Sequence, residues 1–192
     1  MPSAALQIWM TERTDALREV QDAHASVGGT ERGRRYATQQ INHAYVMLLS
    51  GQFQGFYRDL HTECIDHLVG LIPSSSLQAI FLAEVRRDRK LDRGNPSPGN
   101  IGSDFNRLGL KFWDEVKALN RRNLERQQKL EELNAWRNAI AHQDFNPASL
   151  AGRSRVQLAE VRRWHTACDA LAQAADSVMQ RHLTQFLGAP PW

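Results

Sequence analysis

The chain has 192 residues, of which 42% are hydrophobic and 23% charged, which suits one domain with a buried core and excludes a disordered composition. The formal net charge is only +3, so binding to nucleic acid is permitted but not required. Arginine supplies 20 of the 24 basic residues, and its planar guanidinium pairs with phosphate through two hydrogen bonds, which favours an anionic partner.

Period-two alternation and hairpin turns are nearly absent, while apolar residues recur every three or four positions, which predicts an all-α chain. The first helical pattern covers residues 6–27 and is expected to end at Gly28-Gly29. A second, long pattern covers residues 36–71, and Pro73 is expected to terminate it. We therefore expect a single domain over residues 1–192.

A short helix is predicted next, because Ser75 and Gln78 have the spacing of a capping box. Residues 86–103 then combine five basic side chains with a Pro/Gly-rich tract, which predicts an exposed loop. This loop is interpreted either as a solvated connector or as an arm that contacts nucleic-acid phosphates.

Helical patterns resume at Asp104, with an interruption near Gly109, and continue to a final long helix that carries residues 161–186 and ends at Gly188. Cys64 and Cys168 both fall in apolar helical patterns, so they are expected in the core rather than in a disulfide. No secretory signal and no run of 18 apolar residues is found, so we expect a cytoplasmic protein without a membrane partner.

Polar residues of a catalytic type crowd one helical segment, residues 133–144, which contains Arg137, Asn138 and His142. Asn138 and His142 are one turn apart on the same face, whereas Arg137 lies roughly 140° around the helix from His142. Two copies of the helix that meet at a two-fold axis would bring an arginine and a histidine together. The competing interpretation is structural, with Arg137 paired to an acid and His142 ending the helix.

The segment from Arg137 to His142 resembles the signature of HEPN domains, an arginine and a polar residue followed, after three residues, by a histidine. The long helical pattern at residues 41–60 is similar to the second helix of the RiboL-PSP-like branch of that family, and the resemblance spans about residues 30–187. One departure is Gln54, at the place where some relatives have an acidic residue on this helix.

The resemblance implies a bundle of about five helices with long second and last helices, and a homodimer with both motifs at the interface. It also implies metal-independent cleavage of RNA, with Arg137, Asn138 and His142 as catalytic residues and no cofactor. A toxin or defence role, with an antitoxin or another regulatory protein as partner, follows from the same analogy. The alternative is a non-catalytic HEPN-like module for dimerisation or for binding a nucleotide or protein.

Several further residues are candidates for contact with RNA. The basic side chains expected to steer RNA to the site are Arg86, Arg87, Arg89, Lys90, Arg121 and Arg122. Trp136 is expected either at a dimer seam or stacked on a base. The spacing of His61, Cys64 and His67 is also compatible with a metal site, but Cys64 lies on the apolar stripe and no second ligand pair follows, so no metal is predicted.

Overall fold

A computed structural model of the chain describes residues 1–27 and 34–192, with side chains from residue 37 onwards in the second range. All regular elements in these ranges are helical, so the prediction of an all-α protein is confirmed. The α-helices are α1 (Ala4–Ile8), α2 (Thr14–Val27), α3 (Arg34–Val69), α4 (Ser75–Arg86), α5 (Lys90–Arg93), α6 (Pro98–Asn106), α7 (Phe112–Leu119), α8 (Asn123–His142) and α9 (Leu158–Leu187). A π-helical turn, Trp9–Arg13, joins α1 to α2, and a 3-10 turn, Pro147–Leu150, follows α8.

The described residues thus contain more helical segments than the five expected, and several of these are short. The two long helices were expected at α3, with 36 residues, and α9, with 30, and they form the frame of the protein. The expected stop at Gly28-Gly29 lies outside the described residues, whereas the stop at Gly188 is confirmed by its left-handed backbone, with φ 75°.

The core lies where α3, α8 and α9 pack against one another. Aromatic rings fill its centre: Phe53 and Tyr57 on α3 meet edge to face at 4.9 Å, and Phe105 and Phe112 lie 4.6 Å apart. Trp9 is also buried, and its Nε1 donates to Asp169 Oδ1 on α9 at 3.1 Å. This bond ties the N-terminal helices to the last helix.

Both cysteines are buried and unpaired, as expected from their apolar helical patterns. Among the residues that the structure describes, no helix has the length and apolarity needed to cross a membrane.

The region after α3 corrects two expectations. Helix α4 is capped by Ser74, whose Oγ accepts from Leu77 N at 3.5 Å, one residue before the predicted cap at Ser75. Residues 86–103 do not form an exposed loop, because α5 and most of α6 lie within them. Leu91 and Ile101 are fully buried, so apolar contact with the core orders this segment despite its charges and prolines.

The carboxylate of Asp104 completes the join between α5 and α6. It is buried, and its two oxygens accept from the backbone N–H groups of Lys90 and Leu91, both at 2.8 Å. These groups open α5 and would otherwise have no partner within so short a helix. The segment is therefore held to the bundle by a buried polar contact as well as by its apolar residues.

Candidate functional site

The candidate site lies at the C-terminal end of α8, and the backbone fixes where that helix stops. Gln143 has a left-handed conformation, with φ 55°, and Asp144 N donates to Ala139 O at 2.9 Å. The Gln143 side chain also donates from Nε2 to Ile140 O at 2.8 Å. Glycine is the usual residue at such a left-handed position, so the helix end is held by these bonds against an unfavourable backbone conformation. His142 is the last helical residue.

The two faces of this helix end have opposite environments. Trp136 is only 1% exposed, and Ala139 and Ile140 are also buried. Asn138 and His142 are exposed, and Arg137 is half-buried between the two faces. The apolar face thus anchors the helix end while the polar residues of the motif face solvent.

The burial of Trp136 argues against the expectation that it stacks on an RNA base, whereas its alternative position at a dimer seam stays a prediction. Its ring belongs to the core, and stacking on a base would require the ring to leave its packed position. Proximity in sequence to Arg137 does not carry over to the surface, because adjacent helical residues point about 100° apart.

Arg137 is held by a neutral partner rather than by an acid. Its Nη1 donates to Asn138 Oδ1 at 3.3 Å, and Asn95 Nδ2 donates to the same oxygen at 3.1 Å. Arg137 forms no ion pair with any of the described residues, which argues against the structural interpretation in which an acid neutralises it. No carboxylate among the described residues therefore competes with an external anion for this guanidinium.

Asn95 was not found from the sequence. It lies between α5 and α6, in the region interpreted as an exposed loop, and it is 43 residues from Asn138 in sequence. No motif or spacing connects the two asparagines, so only the packing of α6 against α8 brings them together.

A second histidine lies near this helix end. His43 on α3 stacks on Phe145, three residues beyond His142, with ring centroids 5.4 Å apart and planes at 17°. Gln39 and His43 are joined by a hydrogen bond of 2.7 Å between their Nε2 atoms. Burial lowers the pKa of His43, so its neutral ring is favoured in this stack. His43 therefore packs the loop after α8 rather than offering a charge.

Three of the basic residues predicted to bind RNA are paired with carboxylates. Arg86 lies 3.4 Å from Asp66, Arg87 lies 3.2 Å from Glu84, and Arg89 lies 2.7 Å from Asp92. Lys90 is exposed, and its backbone N–H is bound by Asp104. These pairs reduce the charge that the three arginines offer to phosphate.

Arg121 and Arg122, by contrast, are exposed and form no ion pair within the described ranges. They precede α8, whereas Arg137 is near its end, so about 22 Å of helix separates them from Arg137 at 1.5 Å per residue. One chain therefore does not bring these cations to the motif, although they mark a basic surface at the other end of the same helix.

Two further positions have structural partners. Gln54, the position at which the HEPN resemblance would lead one to look for an acid, donates from Nε2 to Leu91 O at 2.6 Å and so helps to hold α5. His61 and Cys64 are fully buried, and the His67 ring lies 5.7 Å from that of Trp192. No group of three or more His, Cys, Asp or Glu residues within the described ranges is arranged to hold a metal ion.

No protein-family model, no curated protein and no solved structure matches this chain. The chemistry of the site is therefore argued from its own residues. These are Arg137, which has no carboxylate partner among the described residues, Asn138, whose amide oxygen accepts from Arg137, and the exposed His142 at the end of α8.

Proposed function

We propose that the protein is a metal-independent endoribonuclease of the HEPN type, active as a homodimer and serving as a toxin or defence effector under the control of a regulatory protein. The observation that carries the proposal is the solvent-facing end of α8. There Arg137 has no carboxylate partner among the described residues, Asn138 accepts its hydrogen bond, and His142 is exposed. A cation, an amide and an imidazole at one surface are suited to a phosphodiester.

The reaction uses the 2′-hydroxyl of RNA as the nucleophile. One His142 accepts the 2′-hydroxyl proton while a second His142 protonates the leaving 5′-oxygen, since an imidazole can perform either role near neutral pH. Arg137 stabilises the charge that develops on the phosphorus oxygens. The products are a 2′,3′-cyclic phosphate and a 5′-hydroxyl.

The position of the motif on its helix supports the proposal of a dimer. Each chain supplies one His142, and Arg137 is about 140° around α8 from it, so one helix does not direct both side chains at one phosphate. A two-fold axis beside the end of α8 would place two histidines and two arginines around a single groove. The toxin role and its regulatory partner rest on the HEPN resemblance.

A non-catalytic HEPN-like module is the second candidate, and one observation favours it. Gln54 is neutral, and its amide is engaged by Leu91 O, so this chain has no acid at that position to support catalysis. In this case the same groove binds a nucleotide or a protein and leaves RNA intact.

Cleavage of RNA in excess EDTA distinguishes the two candidates. Wild-type protein is expected to cut total and transfer RNA, leaving cyclic-phosphate and 5′-hydroxyl ends, while His142→Ala and Arg137→Ala lose on the order of 10²-fold or more in rate. Matched controls are His24→Ala on α2 and Arg163→Ala on α9, which lie on other helices and should cut like wild type. Intact RNA with a folded, dimeric wild-type protein would reject the ribonuclease and favour the binding module.

A further inference from the structure

The turn between α5 and α6 lies against α8, beside the motif. Asn134 Nδ2 donates to Pro96 O at 3.1 Å, and one helical turn further on Asn138 Oδ1 accepts from Asn95 Nδ2 at 3.1 Å. We infer that Asn95 is a positioning residue that orients the Asn138 amide and, through it, Arg137, so that the site presents only N–H donors to a phosphate. This inference rests on the proposed ribonuclease function.

The orientation follows from the donor inventory of the three side chains. A guanidinium has donors and no acceptor, so the atom of Asn138 that faces Arg137 Nη1 at 3.3 Å must be the oxygen. Asn95 contacts the same oxygen, so its own facing atom must be the amide nitrogen. One arginine thus fixes the rotation of both amides.

The consequence concerns the other half of the Asn138 amide. With Oδ1 occupied by two donors, Nδ2 keeps two N–H groups, and the side chain is exposed. No described residue accepts from this nitrogen in a hydrogen bond. Arg137 and Asn138 together then offer donors and a positive charge but no acceptor, a combination that complements the oxygens of a phosphodiester.

The backbone at Asn95 is fixed independently of its side chain. Asn100 Nδ2 donates to Asn95 O at 2.8 Å, and Ser97 Oγ caps α6 by accepting from Asn100 N at 3.2 Å. A Cβ atom at Gly94 would lie 2.7 Å from Asn100 Nδ2, so the lack of a side chain at Gly94 allows the Asn100 amide to come close to the backbone there. Replacing the Asn95 side chain should therefore remove its bond to Asn138 and leave the turn in place.

Kinetics of Asn95 variants test the inference. Asn95→Ala is expected to lower kcat on the order of 10- to 100-fold with a smaller change in KM. The reason is that Arg137, once misplaced, would stabilise the charge on the phosphorus oxygens less well in the transition state, which kcat reports. Asn95→Asp should lower kcat further, since its carboxylate attracts Arg137 and forces the Asn138 amide to turn over. Asn95→Gln, which keeps the amide donor, should recover part of the loss.

The control is Asn106→Ala, which removes an exposed asparagine that accepts from Phe112 N at 3.0 Å at the start of α7. It should share the thermal stability of Asn95→Ala while cutting RNA like wild type. If Asn95→Ala and Asn95→Asp cut at the wild-type rate, or if their rates only follow their melting temperatures, Asn95 does not position the site.

A readout that does not depend on cleavage separates this inference from the proposed function. In NMR spectra, the Asn138 side-chain amide and Arg137 Nε–H signals are expected to shift or broaden in Asn95→Ala and not in Asn106→Ala. Inorganic phosphate should shift the Asn138 amide signals of the wild type more than those of Asn95→Ala.

The combined outcomes are distinct. Perturbed signals in Asn95→Ala with a wild type that leaves RNA intact would reject the ribonuclease and retain the positioning role. A wild type that cuts RNA, with signals and kcat unchanged in Asn95→Ala, would retain the ribonuclease and reject the positioning role.

Discussion

His61 is a histidine placed entirely inside the bundle. Its ring packs edge-on against Phe105 at 5.1 Å, and its Nε2 donates to Asp104 O at 3.2 Å. The other ring nitrogen, Nδ1, is buried without a partner among the described residues. Desolvation lowers the pKa of His61 to about 4, because a charged ring at this position would lose its hydration.

The stability of the protein should therefore depend on pH through His61. His61 binds a proton near pH 6.5 in the unfolded chain and near pH 4 in the folded one. Its contribution to the free energy of unfolding is therefore fully present above about pH 6.5 and is lost as the pH falls towards 4. A shift of this size corresponds to about 3 kcal/mol in the free energy of unfolding. The expected result is a steep fall in urea stability between pH 6.5 and pH 4.

His61→Gln provides the comparison, since its amide can still donate to Asp104 O but does not titrate. Its free energy of unfolding should change less with pH over the same range. Some dependence will remain in the variant, because burial also lowers the pKa of His43 and of His165. Equal pH dependence in the two proteins would show that His61 is not the source.

At the scale of elements, the basic segments differ in how much charge they leave free. Arg86, the last residue of α4, and Arg87, which follows it, are paired with Asp66 and Glu84. Arg121 and Arg122, which precede α8, are exposed and form no ion pair within the described ranges. Unpaired arginines release more counterions when they bind phosphate. The start of α8 is therefore the stronger candidate for holding an RNA strand.

Salt dependence of RNA binding measures this difference. The double variant Arg121→Ala/Arg122→Ala should reduce the slope of log affinity against log salt by about 1.4 for single-stranded RNA, at roughly 0.7 per phosphate contact. Arg86→Ala/Arg87→Ala, which removes the same formal charge, should reduce the slope less. A larger effect from the second pair would place the RNA path along α4 instead.

The sequence predicts best those helices in which apolar residues recur at helical spacing over many turns. Apolar residues recur every three or four positions over many turns in the segments that form α3 and α9, so both were expected close to their observed bounds. Helix α5 has four residues and one buried apolar side chain, Leu91, and its first N–H groups are bound by Asp104, more than a dozen residues away. No local pattern records such a contact.

The candidate site also combines features visible in the local sequence with features that depend on tertiary packing. Arg137, Asn138 and His142 lie within six residues, so their spacing was visible in the sequence. The burial of Trp136 was not expected, because it depends on how α8 rotates against α3 and α9. Asn95 was missed because its bond to Asn138 depends on the packing of a segment that has no periodicity of its own.

For the whole molecule, the proposed chemistry requires more than one copy of the chain. Each chain has one His142, and the reaction asks for a proton acceptor and a proton donor at the same phosphate. His43, which stacks on Phe145 beyond the end of α8, is also hydrogen-bonded to Gln39, so its ring is engaged in packing the loop after α8. In the proposed reaction, the second imidazole therefore comes from the partner chain.

Subunit mixing tests this requirement directly. When wild type and His142→Ala are combined in equal amounts and allowed to exchange, about a quarter of the dimers carry His142 in both chains. Half of all chains carry an intact His142. A site that needs both histidines should retain about a quarter of the rate of the same total amount of wild-type protein, whereas a site complete within each chain retains about half. Mixing with His24→Ala should leave the rate at its full value. A mixed rate near one half, in a sample shown by two affinity tags to contain heterodimers, would place both proton-transfer groups in a single chain and overturn the composite site.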